Sequence, residues 1–212
     1  MPACRSAHDP LRDPGDHSSS VQHPLNPVTH LLVGWSLATI GGRFTRADRA
    51  CVVAAGVVPD VDGLGLVAEL ATRGSDHPLL WWSQYHHVLG HNVGAAALVT
   101  VTALAVSRRW SVAVVAAVSF HLHLLGDLVG ARGPDGAQWP IPYHLPFSDG
   151  PQWMVRWQWA LNAWPNVALT AVLLAYAFWY AWARGLSPLE FVSLRANDAF
   201  VITLRRRVPR AA

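Results

Sequence analysis

Aspartates and histidines stand inside the most apolar stretches of this sequence. Asp60 and Asp62 interrupt the run from Ala50 to Ala71, His86, His87 and His91 open the run that ends at Val106, and His121, His123 and Asp127 lie between Val112 and Val129. An ionisable group in such a setting is costly without a partner. All of these side chains are metal-ligand types, so one shared divalent cation is the economical partner.

Spacing sorts the candidates. His87 and His91 are four apart and share a face if the chain is helical there. His86 and His91 are five apart and converge only if His86 sits in an irregular helix start. His123 and Asp127 form an i, i+4 pair, whereas His121 points roughly 160° away from His123 at 100° per residue, so His123 is the preferred member. Asp127 is either a ligand or an orienter of one. Pro59-Asp60-Val61-Asp62 places two carboxylates at a helix break, one to bind metal and the other to bridge or act as a base. The bland alternatives are an interfacial histidine cap, a buried His–Asp hydrogen bond and turn chemistry. His-Glu-x-x-His, the zincin pattern, is absent from this stretch.

The elements that must carry these residues read as helices. The chain has 212 residues, 52% hydrophobic and only 14% charged, with eleven tryptophans. A soluble domain is nearer about 25% charged. This favours an all-α, membrane-embedded bundle of about five helices over a soluble helical protein. Residues 1–25 read as a disordered leader, 26–184 as the helical domain, and 185–212 as a short helix and basic tail with a weak extended stretch at 200–204. Asn26-Pro27 reads as a helix start, and Thr45-Arg-Ala-Asp48 as a capping box. Helices are expected over about 28–41, from 46 to a break at Pro59, 83–107, 110–129 and 161–183. Trp153, Trp157, Trp159 and Trp164 fit an interfacial belt. The two cysteines give neither a disulfide framework nor a thiolate metal site.

All sixteen basic residues are arginines, and most punctuate the ends of apolar runs. That is a membrane-orientation pattern and not a nucleic-acid stripe. With Arg43–Arg49, Arg108-Arg109, Arg184 and the tail on the cytoplasmic face, His30 is thirteen residues before Arg43 and Asp60 eleven after Arg49. His91 is seventeen before Arg108 and His123 fourteen after Arg109. A rise of about 1.5 Å per residue puts all four at roughly 17–25 Å from that face. His30, a lone histidine in a helix start, gains its weight from this shared level. The loop from Gly130 to Gly150 emerges on the same far side and brings His144 over the site.

Thr29-His30, Pro59-Asp-Val-Asp62, His86-His-Val-Leu-Gly-His91-Asn92, and His123-Leu-Leu-Gly-Asp127 followed by Trp139-Pro140 and Pro146-Phe147 together resemble the bacterial membrane-bound metal-dependent hydrolase family, the YdjM-like inner-membrane group. Order and rough spacing match from about Asn26 to Phe147. His87, Gly90 and Asn92 stand where that family has Arg, Thr and Ser, and the lost guanidinium is a potential phosphate ligand. The all-helical His/Asp arrangement is also distantly similar to zinc phospholipase C-type enzymes. The resemblance implies a hydrolase in the bacterial inner membrane. The expected metal ligands are His30, Asp60, His86, His91, His123 and Asp127, around one or two divalent ions with zinc preferred. Asp62 is the expected base, and His87, His121 and His144 are expected to support the ligands from outside. A phosphoester or lipid-like substrate and the lipid bilayer are the expected partners, with no nucleic acid. The alternatives are a non-catalytic membrane protein that binds or transports metal, and a soluble helical phosphoesterase.

Overall fold

The computed structural model describes residues 27–41, 43–132, 136 and 138–209. The proposed leader and Asn26 lie outside them. Five apolar helices form the bundle: α1 (Pro27–Ile40), α2 (Arg46–Val57), α5 (Val93–Ser107), α6 (Trp110–Gly130) and α7 (Trp164–Arg184). Between α2 and α5 come a 3-10 segment (Val58–Leu64), α3 (Gly65–Thr72) and the one-turn α4 (Trp81–Tyr85). A second 3-10 turn (Pro188–Phe191) and α8 (Leu194–Arg207) complete the chain. No strand occurs among the described residues, only isolated bridges pairing Arg132 with Ala160 and Ile141 with Trp153.

Local chemistry sets several of these boundaries. The Thr45 hydroxyl accepts from the Asp48 amide and the Asp48 carboxylate from the Thr45 amide, so the expected capping box starts α2. Pro59 cannot donate the next helical hydrogen bond, and the chain tightens into the 3-10 segment that carries Asp60 and Asp62. The helix expected from residue 83 starts ten residues later. Asn92 caps it by accepting from the Ala95 amide, while its own amide group donates to the Val88 and Leu89 carbonyls. The extended stretch expected at 200–204 is helical as well. Ser193 caps α8, which buries Asn197 and Val201 at an i, i+4 spacing.

α2 lies between α1, α5 and α6, and α7 packs on α1. Ala38, Val52, Ala55, Ala103, Val112 and Ala116 form one apolar cluster across α1, α2, α5 and α6. A second joins Leu32, Trp35 and Val53 to Ala177 of α7. The seam is tight: a Cβ at Gly56 would stand 2.6 Å from Ser119 Oγ and 3.3 Å from the His30 carbonyl oxygen, so glycine eases the close approach of α2 to α6 and α1. The outer faces stay apolar, with Leu98, Val101, Val114, Val167 and Val172 exposed. Three segments, Arg46–Thr72, Trp110–Gly130 and Trp164–Arg184, are long and apolar enough to cross a membrane. α1 and α5, with 14 and 15 residues, are shorter than the roughly 20 a full span requires.

The basic connections meet at one end of the bundle. Arg109 bonds Asp48 and the Arg43 carbonyl, and Arg49 forms a two-pronged ion pair with the buried Glu190. Glu190 also accepts from the Trp35 indole. At the opposite end Asn166, in the first turn of α7, donates to the Gly130 carbonyl at the end of α6 and to the Leu161 carbonyl. The short helices α1 and α5 begin at that end, which brings their first residues level with the end of α2.

Candidate metal centre

Four separate stretches deliver side chains to one buried point. His30 comes from the first turn of α1, and Asp60 and Asp62 from the 3-10 segment. His87 and His91 come from the irregular approach to α5, and His123 and Asp127 lie one turn apart on α6. Asp127 is the hub. His30 Nε2 is 3.4 Å from its Oδ1, and His91 Nε2 and His123 Nε2 are 3.2 and 2.9 Å from its Oδ2. Asp60 Oδ1 stands 3.7 Å from His123 Nε2. The atoms fall into two ligand groups that share Asp127: His30, Asp60, His123 and Asp127, and His87, His91 and Asp127. Within each group the ligand atoms lie within 4.8 Å of one another.

His123 Nδ1 is 2.8 Å from the Gly56 carbonyl oxygen, which only accepts, so Nδ1 carries the hydrogen. His91 Nδ1 is 3.3 Å from Asp62 Oδ2, which fixes the same tautomer when Asp62 is ionised. In the neutral rings both Nε2 atoms are then lone-pair acceptors. They face each other at 3.2 Å, and both face Asp127 Oδ2. Three acceptors that close repel unless protons or a cation separate them. Ligands about 2.0–2.1 Å from a tetrahedral zinc stand about 3.3 Å from each other, which lies within the 2.9–3.7 Å range of the cluster. His30 Nε2, Asp60 Oδ2, His86 Nε2 and His87 Nδ1 are buried with no hydrogen-bond partner. The donor set therefore fits divalent metal.

The environment pulls the ring charges apart. Burial opposes a proton on His91, but the hydrogen bonds and charges of Asp127 and Asp62 outweigh it and push the pKa up to about 9. At His87 burial prevails, the nearby Asp127 notwithstanding, and holds the pKa down to about 3. His87 is thus a neutral ring with a free lone pair, the state a metal ligand requires.

The motif around His91 is shaped by close contacts. A Cβ at Gly90 would lie 2.4 Å from the Pro59 carbonyl oxygen and 2.8 Å from Pro59 Cα, so glycine lets this stretch lie against the 3-10 segment. The Gly90 amide donates to Asp62 Oδ2 across that contact. His87 has φ 64°, a left-handed turn that is uncommon outside glycine, and its ring lies 4.4 Å from that of His91.

The cluster contains His30, Asp60, His91, His123 and Asp127. Two imidazoles exchange places relative to expectation. His86 is outside both ligand groups: its Nδ1 lies 3.1 Å from Asp62 Oδ1, and its ring stacks on Trp82 at 3.6 Å. His87 joins His91 and Asp127 instead, because the left-handed turn redirects its ring. His121 lies on the other side of α6, its Nε2 2.8 Å from the Tyr143 hydroxyl. His144 packs near Tyr143 and Trp153 and belongs to neither ligand group. Neither supports the cluster directly. Asp62 has both oxygens engaged, by His86 on one side and by Gly90 and His91 on the other, and its side chain is 1% exposed against 19% for Asp60. Two participants carried no signal in the sequence. They are the Gly56 carbonyl and Gln158, whose buried amide donates to the Asp127 carbonyl from the chain between α6 and α7.

The family model described as YdjM inner membrane protein matches residues 25–204. No curated protein and no solved structure shows a significant match. The matched stretch takes in the whole bundle and every residue of the cluster. The chain belongs to the YdjM inner membrane protein family.

Proposed function

We propose that this inner-membrane protein is a metal-dependent hydrolase of phosphoesters, holding two divalent ions, with zinc preferred for its nitrogen-rich donor set. The observation that carries the reading is the convergence of His91 Nε2, His123 Nε2 and Asp127 Oδ2 within 2.9–3.2 Å of one another, the outer ring nitrogens being held by a carboxylate and a backbone carbonyl. This carboxylate– or carbonyl–histidine arrangement is how proteins orient metal ligands. His30, Asp60, His123 and Asp127 make a four-ligand set. His87, His91 and Asp127 make a three-ligand set, the number that in catalytic sites leaves a coordination position for water or substrate.

When bound, the ions supply positive charge to the phosphoryl oxygens and a water acidified enough to attack at neutral pH. The chain's own groups supply position and proton handling. Asp62 holds the His91 ring, a role that replaces the base role expected for it, since neither of its oxygens is free. Asp60 Oδ2 is buried but uncommitted, on a side chain 19% exposed, and is our candidate to take the proton of the attacking water. The water oxygen bonds to phosphorus as the ester P–O bond breaks, and the leaving oxygen takes a proton from solvent. A cavity bordering His87 supports turnover over mere metal storage or transport. The basic ends at the opposite pole support a site in the extracytoplasmic leaflet.

The test is zinc-loaded, detergent-purified protein with p-nitrophenyl phosphate and a phospholipid. Release of product that a chelator abolishes and zinc restores is expected. Full zinc loading with no hydrolysis, accompanied by zinc flux in proteoliposomes, would replace this reading with the transport one.

A further inference from the structure

A cavity of about 340 Å³ opens beside the cluster, lined by Trp82, Trp139, His86, His87, Gln84 and Gln152 among others. Its two histidines include His87 of the three-ligand group, so the floor of the cavity is the edge of the metal centre. His87 Nδ1 and His86 Nε2 of these two residues are buried without a hydrogen-bond partner. Trp139 stands over it, its ring 4.9 Å from His87, 5.1 Å from His86 and 5.9 Å from Trp82. Resting on the hydrolase reading above, we infer that this cavity seats the phosphoryl headgroup of a membrane amphiphile, with Trp139 as its roof and the tail left in the bilayer.

Three observations select that occupant. First, among the described residues the lining contains no arginine, lysine or carboxylate. A phosphoryl anion in it is balanced by cations on the floor alone, and its binding must require metal. Second, at about 30 Å³ per water the cavity holds on the order of ten water-sized groups, enough for a phosphoryl group and a short polar headgroup but too small for these together with the acyl chains of a lipid. Third, the neighbours of the lining residues in sequence are large exposed apolar side chains: Trp81 beside Trp82, Leu89 beside Val88 and Trp153 beside Gln152. Exposed apolar side chains so close in sequence to the lining suit the lipid–water interface, where an amphiphile presents its headgroup.

Alkylphosphonates test this, because their C–P bond survives the hydrolase. Octylphosphonate and methylphosphonate are titrated calorimetrically into the full-length protein in detergent, zinc-loaded and zinc-stripped, with zinc content measured in each sample. Both are expected to bind only with zinc, octylphosphonate at least tenfold more tightly. Trp139→Ala should weaken octylphosphonate about tenfold at unchanged zinc content, and Trp139→Phe should recover most of the loss. Unchanged affinity in Trp139→Ala, or binding to the zinc-stripped protein, would overturn the assignment while leaving the metal centre intact. Equal affinity for the two phosphonates would overturn the amphiphile and point to a water-soluble phosphoester. A wild-type protein that takes up no zinc would remove the hydrolase reading, and this inference with it.

Discussion

Asp62→Asn separates orientation from catalysis at this site. Asp62 accepts from the Gly90 amide at 3.2 Å, from His91 Nδ1 at 3.3 Å and from His86 Nδ1 at 3.1 Å. The amide has the same shape. With its oxygen in the Oδ2 position, it keeps the Gly90 and His91 contacts, and its NH2 faces His86, which accepts in its other tautomer. The fold is therefore retained. What is lost is the negative charge behind His91, which makes that ring a better ligand. Groups in this position contribute about 10- to 100-fold to metal affinity, or about 1.4–2.7 kcal/mol. Zinc affinity measured by chelator competition should fall by that factor, and hydrolysis measured at saturating zinc should return to near the wild-type rate. A base in direct contact with the reacting water would give the reverse, unchanged affinity and a loss of about 10²–10⁴ at saturating zinc. That second pattern would refute the orienting role.

Further variants probe the rest of the arrangement. His87→Ala should lower zinc stoichiometry from two towards one by metal analysis, because it removes a ligand from the three-ligand group only. His121→Ala, on the Tyr143 side of α6, should leave zinc content and affinity unchanged, and a loss of zinc would show that the two faces of the helix are coupled. Gly90→Ala forces the approach to α5 away from Pro59 by close to 1 Å if ordinary contact is about 3.4 Å, and should lower zinc affinity by tenfold or more in chelator competition. Glu190→Gln breaks the buried pair with Arg49 at the far end. It should cost about 3 kcal/mol, read as a drop of several degrees in the thermal midpoint, with zinc affinity unaltered.

Much of this was legible in the residues. An apolar helix has few reasons to carry His123 and Asp127 one turn apart, and the arginine-marked connections placed His30, Asp60 and His91 at the same level. The capping box at Thr45 and the break at Pro59 are local chemistry and appeared where expected. The stretch from 83 to 92 was not legible, because helical spacing is an argument only where the chain is helical. Asn92 caps α5 and His87 turns left-handed, so sequence distance from His91 ceased to measure ring direction and His87 took the place expected for His86. At 200–204 the β-branched Val201, Ile202 and Thr203 suggest extension, but burial of Asn197 and Val201 against their neighbours overrides that propensity. Gln158 and the Gly56 carbonyl act through contacts that no spacing encodes.

The most direct measurement is metal content by mass spectrometry of the detergent-purified chain after zinc loading and dialysis, for the wild type and for Asp127→Asn. The shared carboxylate predicts two zinc ions per wild-type chain and less than one in the variant. A wild-type chain that emerges without metal, or a variant that keeps both ions, would contradict a centre organised around Asp127.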